Sequence, residues 1–291
     1  MTYKQSGSDL ERFPDCDGLR KLARSGGVGA SYDEINEAQE LAYNAWDEPD
    51  RTRRNMLARK ALARSPLCAD AWLQLSKLRN LSDIQRREYL LRAVCAGELA
   101  VGERRFAEAK GDFWLILDTR PYMRARCALA QDLWYSSNPD ERIEAIAHLR
   151  EMLELNPNDN QGLRYILLVW LIRTDADQAA AALLAKYHDE VSAFMEFTRV
   201  FLAYRAQGDC EKTRDMAAKA CLANRHIPRH LANSELWHKA SGTYSPGRES
   251  EAAWYAQELG IDWFCTHDAI EWLSQCTDRE PKRNRDGETL H

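Results

Sequence analysis

The polar side chains best suited to binding a ligand are concentrated at one turn in the middle of the chain. Between residues 156 and 165 the sequence gathers amide, carboxylate, guanidinium and phenol groups on Asn156, Asn158, Asp159, Asn160, Gln161, Arg164 and Tyr165. Amide side chains both donate and accept hydrogen bonds, so such a turn can hold the backbone of an extended peptide. The same residue types also cap helices and bond the carbonyls of a preceding helix. Two interpretations stay open, a carboxamide clamp and a structural corner.

A second candidate group is the basic cluster at Arg120, Arg124 and Arg126. The first two are four residues apart and share a helix face, whereas Arg126 points elsewhere. Such a pair can receive a carboxylate or phosphate bidentately, with the ring of Tyr122 stacking alongside. The alternative is that these arginines pair with nearby carboxylates, which the sequence offers at Glu108, Asp112 and Asp118.

Signatures of catalysis and of metal binding are missing from the sequence. It has no GxSxG, no glycine-rich phosphate loop and no HExxH. His226 and His230 are four residues apart, with His238 beyond them, but Pro228 interrupts the helix that would place the first two on one face. We therefore predict a non-enzymatic protein with no catalytic residue, no cofactor and no metal.

The charge pattern gives no global attraction to nucleic acid or to a membrane surface. The chain has 40 basic and 45 acidic residues, interspersed, with a net charge of -5. The segment 51–64 carries six basic residues, which raises a nucleic-acid alternative. However, acidic residues crowd the preceding segment, at Glu34, Glu37, Glu40, Glu48 and Asp50. A solvated, salt-bridged face is the expectation, with no nucleic-acid partner.

Eight cysteines are scattered without a CxxC pair, which is typical of thiols packed as small hydrophobes in a reducing compartment. The N-terminus has no apolar segment of signal-peptide length, and the longest strongly apolar run, 165–172, is far shorter than a bilayer span. These features predict a soluble, cytoplasmic protein with no membrane association. Most tryptophans are expected in the core, and an exposed minority would line a groove. The expected core set is Trp46, Trp72, Trp134 and Trp170.

Apolar residues recur at helical spacing throughout, and strand-like alternation is nearly absent. The start of one helix is well marked, because Asn138 can cap it and Pro139 suits its first position. This helix is predicted to run from about Pro139 to Leu155.

Helix starts also repeat along the chain. Asp50 and Asp83 are 33 residues apart, and the last three aspartates of the series are 35 and 34 residues apart, at Asp140, Asp175 and Asp209. Similar proline-terminated helix ends occur at 61–66 and 152–157. Intervals of this length are typical of the 34-residue tetratricopeptide unit. The interval from Asp83 to Asp140 is longer, and it predicts a long helix from about Ser82 to Lys110 followed by an insertion.

Over roughly 33–228 the chain resembles tetratricopeptide-repeat proteins. It also looks like a group of microbial tetratricopeptide proteins, and its C-terminal part is similar to the suppression-of-tumorigenicity-seven family. The segments that carry this narrower likeness are 119–126, 155–162, 224–228, 247–255 and 269–273. The resemblance implies a protein-binding groove, in which such proteins often use Asn together with Arg or Lys, and it supplies no reaction.

We therefore predict an all-α fold, a right-handed α-solenoid of irregular tetratricopeptide-like helical hairpins with a C-terminal helical cap. Residues 1–30 are expected to be a loosely ordered lead-in with one short helix near Leu19. Residues 31–236 would form the repeats, with an irregular insertion at about 104–122. Residues 237–276 would form the cap, as two short helices, and 277–291 a disordered tail.

The predicted function is that of an adaptor that binds a protein or peptide partner in the groove. The alternative is an enzyme or binding protein that acts on a small anionic ligand through the Arg, Asn and Asp cluster. The predicted partner-binding residues are Arg120, Tyr122, Arg124, Asn158, Asn160, Arg164 and Tyr165.

Overall fold

The computed structural model describes residues 9–237 and 242–277. Within these ranges the chain is built of α-helices and short 3-10 turns without a strand, so the all-α prediction is confirmed. Two compact units divide the chain, Met1–Arg164 and Tyr165–His291. The division falls inside a helix rather than at a boundary expected between lead-in, repeats and cap. The tail predicted for 277–291 lies outside the described residues, except for its first residue.

The first unit is formed by helices that mostly pack against their neighbours in sequence. Its helices are α1 (Asp9–Arg12), α2 (Cys16–Ser25), α3 (Tyr32–Asp47), α4 (Arg51–Arg64), α5 (Ala69–Leu75), α6 (Asp83–Val101), α7 (Glu103–Glu108), α8 (Arg120–Trp134) and α9 (Pro139–Leu155), with a 3-10 turn at Leu117–Thr119. The most extensive packing joins α3 to α4, followed by α6 to α8, α8 to α9 and α5 to α6. Short connections, of the kind that join antiparallel helices, link α3 to α4 and α8 to α9.

The division between the units falls within α10 (Leu163–Arg173). The remaining helices belong to the second unit: α11 (Asp177–Lys186), α12 (Ala193–Gln207), α13 (Glu211–Ala223), α14 (Ile227–Ala232), α15 (Glu249–Cys265) and α16 (Ala269–Thr277), with a 3-10 turn at Ser234–Leu236. No helix in the described ranges combines the length and apolarity needed to cross a bilayer.

Side-chain caps explain why several of these helices begin where they do. The carboxylate of Asp50 accepts a hydrogen bond from the Arg53 amide at the start of α4. The Asn138 side chain accepts from the Asp140 amide at the start of α9. The predicted bounds of α9, Pro139 to Leu155, are confirmed.

The long helix predicted from Ser82 to Lys110 is wrong over its last third. It ends at Val101 because Gly102 has φ 73 and ψ 153, a conformation that leaves the helix and that glycine adopts without a steric penalty. A separate short helix, α7, follows before an irregular segment that reaches Ile116.

The lead-in predicted to be loosely ordered contains two helices, α1 and α2. The helix expected near Leu19 is α2, and Leu19 is fully buried. Polar contacts fix the segment before α2 to the unit. Arg92 of α6 donates to the carbonyl oxygens of Leu10 and Phe13 at 3.0 and 3.1 Å, and Arg59 of α4 pairs with Asp9 at 2.8 Å.

Residues 249–277 of the second unit form two helices, but their bounds differ from the prediction. Trp263 and Phe264, expected between two short helices, lie inside the 17-residue helix α15. The buried face of α15 covers α12, since Tyr255 packs edge-on against Phe194 at 5.3 Å and Trp263 lies 4.8 Å from Phe201. The capping role of this region stays a prediction.

Candidate functional site

Arg124, a half-buried residue of α8, is held by a buried carboxylate of α5. Its guanidinium donates two hydrogen bonds to Asp70, from Nε to Oδ1 at 3.0 Å and from Nη2 to Oδ2 at 2.5 Å. The Asp70 side chain is completely buried. Gln39 of α3 donates to the same carboxylate at 2.6 Å. Three helices therefore meet at Asp70, a partner that the sequence did not suggest for Arg124.

An aromatic pair from α3 covers this ion pair. The Arg124 guanidinium lies 4.6 Å from the ring centre of Trp46, and Trp46 packs edge-on against Tyr43 at 5.5 Å. Trp46 was expected in the core but is 36% exposed. Burial acts to lower the pKa of Arg124, but the hydrogen bonds and the charge of Asp70 outweigh it, so the pKa is raised and the guanidinium stays charged.

One face of α3 lines a cavity of about 180 Å³ in this unit. The α3 residues lining it recur at helical spacing: Tyr32, Ile35, Asn36, Gln39, Glu40 and Tyr43. Gly97 of α6 and Pro121 of α8 line it from other helices. Because Tyr32 and Glu40 are exposed, the cavity opens to solvent.

A second polar group, formed by Tyr32, Arg105 and Asp118, lines one side of this cavity. Tyr32 donates to Asp118 at 3.3 Å, and Arg105 pairs with the same carboxylate. The Arg105 guanidinium also lies 5.9 Å from the centre of the Tyr32 ring. Asp118 was an expected partner of the basic cluster, but it contacts Arg105 and Tyr32 instead. One neutralised ion pair therefore lines the cavity, and Gln39 connects the cavity to a second one at Asp70.

The predicted stacking of Tyr122 on a ligand is wrong, because the side chain is only 4% exposed. Its ring packs edge-on against Phe106 and Phe113, and its hydroxyl accepts a hydrogen bond from Arg126 at 2.8 Å. Burial raises the pKa of Tyr122. Arg126 faces away from Arg124, as expected, and donates to His148 at 3.0 Å.

At the turn between α9 and α10, Asp159 acts as a cap. Its carboxylate accepts from the backbone amides of Leu163 and Arg164 at 2.7 and 2.9 Å, and from the Arg164 guanidinium at 2.9 Å. Burial raises the pKa of Asp159, although these hydrogen bonds oppose the shift. The hydrogen bonds support the structural interpretation of Asp159 and Arg164, while Asn158 and Asn160 remain exposed.

A chain of hydrogen bonds links this turn to the start of α8. Arg120 donates to the Trp114 carbonyl at 2.7 Å, and the Trp114 amide donates to the Asn156 side chain at 3.2 Å. Asn156 in turn donates to Asn160 at 3.2 Å. Arg120 and Asn160 therefore belong to one network, whereas Arg124 bonds to Asp70.

Tyr165, the last of the predicted binding residues, belongs to the second unit. Its ring packs edge-on against Phe194 at 5.0 Å and Trp254 at 5.4 Å, and its hydroxyl donates to Glu190. The predicted residues thus fall into separate groups. Arg124 lies at Asp70, Arg120 and Asn160 belong to the network at Trp114 and Asn156, and Arg164 lies at Asp159. Tyr122 is buried against Phe106 and Phe113, and Tyr165 lies in the aromatic cluster of the second unit.

Comparison of the chain with models of known protein families, with curated proteins and with solved structures gave no match. The site therefore has to be judged on its own geometry. In the parts of the chain that the structure describes, no group of three or more His, Cys, Asp or Glu side chains is arranged to hold a metal ion. His238 lies outside those parts.

Sequence reasoning missed the residues that build the cavity. Asn36, Gln39 and Tyr43 lie on one face of α3, at positions i, i+3 and i+7. This mixed polar and aromatic face, beside the buried alanines of the same helix, is a signal that could have pointed to them. Asp70 gave no such signal, because it is a single carboxylate near the start of a short helix.

Proposed function

We propose that this chain is a non-enzymatic adaptor that binds an extended protein segment at the α3 cavity of the first unit. The observation that carries the proposal is the open cavity lined by Asn36, Gln39 and Tyr43. Beside it, Asp70 bonds both Gln39 and Arg124. Amides present donors and acceptors to a peptide backbone, and the tyrosine ring offers rigid apolar area at little entropic cost.

The size of the cavity favours a protein segment over an enclosed small molecule. Pockets that enclose drug-sized ligands typically measure about 300–1,000 Å³. The cavity beside α3 has only about 180 Å³. It can receive one anchoring side chain while the rest of the segment lies across the exposed residues of α3.

The alternative, binding of a small anion, is less favoured because the arginines near the cavity already have partners. Arg124 is neutralised by Asp70, and Arg105 by Asp118. Arg120 is committed in part to the Trp114 carbonyl. Anion binding would have to break an existing pair, which leaves a carboxylate without its cation, and in the case of Asp70 that carboxylate is buried.

The proposal includes a tetratricopeptide-like, right-handed arrangement of the helix pairs and a cytoplasmic location. The helix pairs of the first unit and the aspartates near the starts of α4, α6 and α9 support the repeat. None of the eight cysteines, all of which lie in the described residues, is in a disulfide bond, which fits a reducing compartment.

A displayed library of random peptides, selected on the purified chain, tests the binding function. Affinities of enriched peptides would then be measured by fluorescence anisotropy for the unmodified chain and for Asn36→Ala and Asn44→Ala. Both asparagines are on α3, but only Asn36 is among the residues lining the cavity, and Asn44 is exposed. We expect Asn36→Ala to weaken binding by about fivefold, since a lost hydrogen bond is worth about 1 kcal/mol.

Asn44→Ala should leave the affinity unchanged, and circular dichroism should show both variants equally folded. Failure to enrich any peptide over a library selected on an unrelated helical protein would refute the adaptor function. Equal effects of the two substitutions would refute the placement of the groove.

A further inference from the structure

Two cysteines that are far apart in the sequence meet where α2 packs on α6. Cys16 is the first residue of α2, and Cys95 lies in the second half of α6. The Cys95 sulfur is 3.8 Å from the carbonyl oxygen of Cys16, and the packing of α2 on α6 makes the two cysteines neighbours. The contact places two free thiols within reach of each other.

The surroundings of Cys16 favour its thiolate. It stands at the N-terminal end of a ten-residue helix, directly after the cap residue Asp15. A side-chain hydrogen bond with Cys95 lowers the pKa of Cys16, burial and the charge of Glu88 oppose the shift, and the charges of Arg20 and Arg92 add to the lowering. The same hydrogen bond raises the pKa of Cys95, which keeps its proton.

A cavity gives small solutes access to this contact. It has a volume of about 620 Å³, and Arg20, Cys95 and Glu98 are among the residues that line it. Cys16 itself is half-buried rather than enclosed. A small oxidant and a dithiol reductant can therefore reach the pair without unfolding of the unit.

We propose that Cys16 and Cys95 are a peroxide-responsive pair that forms a reversible intramolecular disulfide. The Cys16 thiolate attacks one peroxide oxygen, the O–O bond breaks, and Cys16 becomes a sulfenic acid as hydroxide leaves and takes up a proton. Cys95 then loses its proton and attacks the Cys16 sulfur, the S–O bond breaks, and water leaves. Two thiols and one hydrogen peroxide thus give one disulfide and two waters.

This disulfide would close a loop that contains α3, α4 and α5. It ties α2 to α6, so the helix that lines the proposed binding cavity lies inside the covalent loop. Closing a long loop restricts the unfolded chain and raises the stability of the folded unit. The inference does not depend on the proposed adaptor function, since none of its residues lines that cavity.

Peptide mapping of the full chain tests the proposal directly. The reduced protein would be treated with one equivalent of hydrogen peroxide, blocked with N-ethylmaleimide, digested, and examined by mass spectrometry with and without dithiothreitol. We expect a linked peptide pair containing Cys16 and Cys95, lighter than the two free peptides by two hydrogen atoms and abolished by the reductant. The oxidised protein should also unfold at a higher urea concentration than the reduced one.

Matched serine variants identify the sulfurs. Cys16→Ser and Cys95→Ser should each lose the linked peptides and the shift in urea midpoint, whereas Cys265→Ser, at an exposed cysteine, should keep both. The mapping on the unmodified chain decides the matter even if a variant folds poorly. Peroxide that links Cys221 to Cys276 instead, or oxidises Cys16 to a sulfinic acid without linking it to Cys95, would overturn the proposal.

Discussion

Asp70 and Arg124, 54 residues apart in the sequence, form a two-point ion pair in which the carboxylate is completely buried and the guanidinium side chain is 20% exposed. The pair joins α5 to α8, and Gln39 extends the contact to α3. A buried carboxylate has lost its hydration, so its charge is tolerable only while these donors remain in place. The position of Gln39, which lines the neighbouring cavity, is therefore tied to this buried ion pair.

Removing Arg124 should destabilise the first unit strongly. Arg124→Ala leaves Asp70 buried and without its cation, and we expect a loss of about 3–5 kcal/mol in the free energy of unfolding. Urea denaturation at neutral pH measures it. Arg104→Ala is the control, because the Arg104 side chain is 91% exposed, and a change within about 0.5 kcal/mol is expected. A double variant, Asp70→Leu with Arg124→Met, should recover most of the loss; equal losses in the single and double variants would contradict the ion-pair argument.

Asp159→Ala should show whether the polar turn between α9 and α10 stabilises the fold as a helix cap. Asp159 has φ 47, which aspartate tolerates better than alanine, and it caps the start of α10. Loss of the cap and of this backbone preference should cost about 2 kcal/mol in unfolding free energy. Asn158→Ala, at the exposed neighbouring position, should change the stability by less than about 0.5 kcal/mol. Comparable losses at both positions, measured by thermal unfolding, would show that the cap is not what stabilises this turn.

Gly97→Ala should force α6 and α8 apart. A Cβ atom at this position would lie 2.9 Å from the Tyr122 Cα and 3.2 Å from its backbone nitrogen, and backbone atoms cannot move aside as a side-chain tip can. Overpacking of this kind costs about 1–3 kcal/mol and should lower the thermal midpoint. Gly242→Ala is a suitable control, because a Cβ there meets no atom within 4 Å. An unchanged midpoint for Gly97→Ala would contradict the close approach of the two helices.

Some features set by residues close together in the sequence were predicted correctly, whereas features set by contacts between different elements were not. The bounds of α9 were predictable because Asn138 and Pro139 act on their own helix. The break at Gly102 was missed because a glycine within a helical pattern is compatible with continuation as well as with an end. Tyr122 is buried because it contacts Phe106 of α7 and Phe113 of the irregular segment that follows. The sequence alone did not show that these elements pack on α8.

The candidate site was the least predictable part for the same reason. Arg124 was predicted because it belongs to a cluster of basic residues. Its partner Asp70 is distant in the sequence and does not belong to any repeating pattern that would indicate its role. The approach of Cys16 to Cys95 likewise depends on the packing of α2 on α6. A single sequence reports helical faces and caps, whereas contacts between helices require the packed structure.

Glu34, at the start of α3, should make the stability of the first unit sensitive to acid. The Ser31 hydroxyl, then the backbone amides of Gly29 and Ser31, lower the pKa of Glu34 from the ordinary 4.5 to about 2, and Arg64 adds a smaller effect. Because the pKa is lower in the folded state, the carboxylate contributes its full stability above pH 4.5. That contribution is lost as the pH falls from 4.5 through about 2.

Comparison of the unmodified chain with Glu34→Gln by urea denaturation between pH 2 and 6 measures this effect. The difference in unfolding free energy should be constant above the ordinary pKa and should shrink as the pH falls toward about 2. Ser31→Ala, which removes the largest cause, should raise the pKa of the Glu34 carboxyl when it is titrated by NMR, and more than Arg64→Ala does. If the stability difference were independent of pH, or if Arg64→Ala had the larger effect, the capping hydrogen bonds would not be what keeps Glu34 ionised.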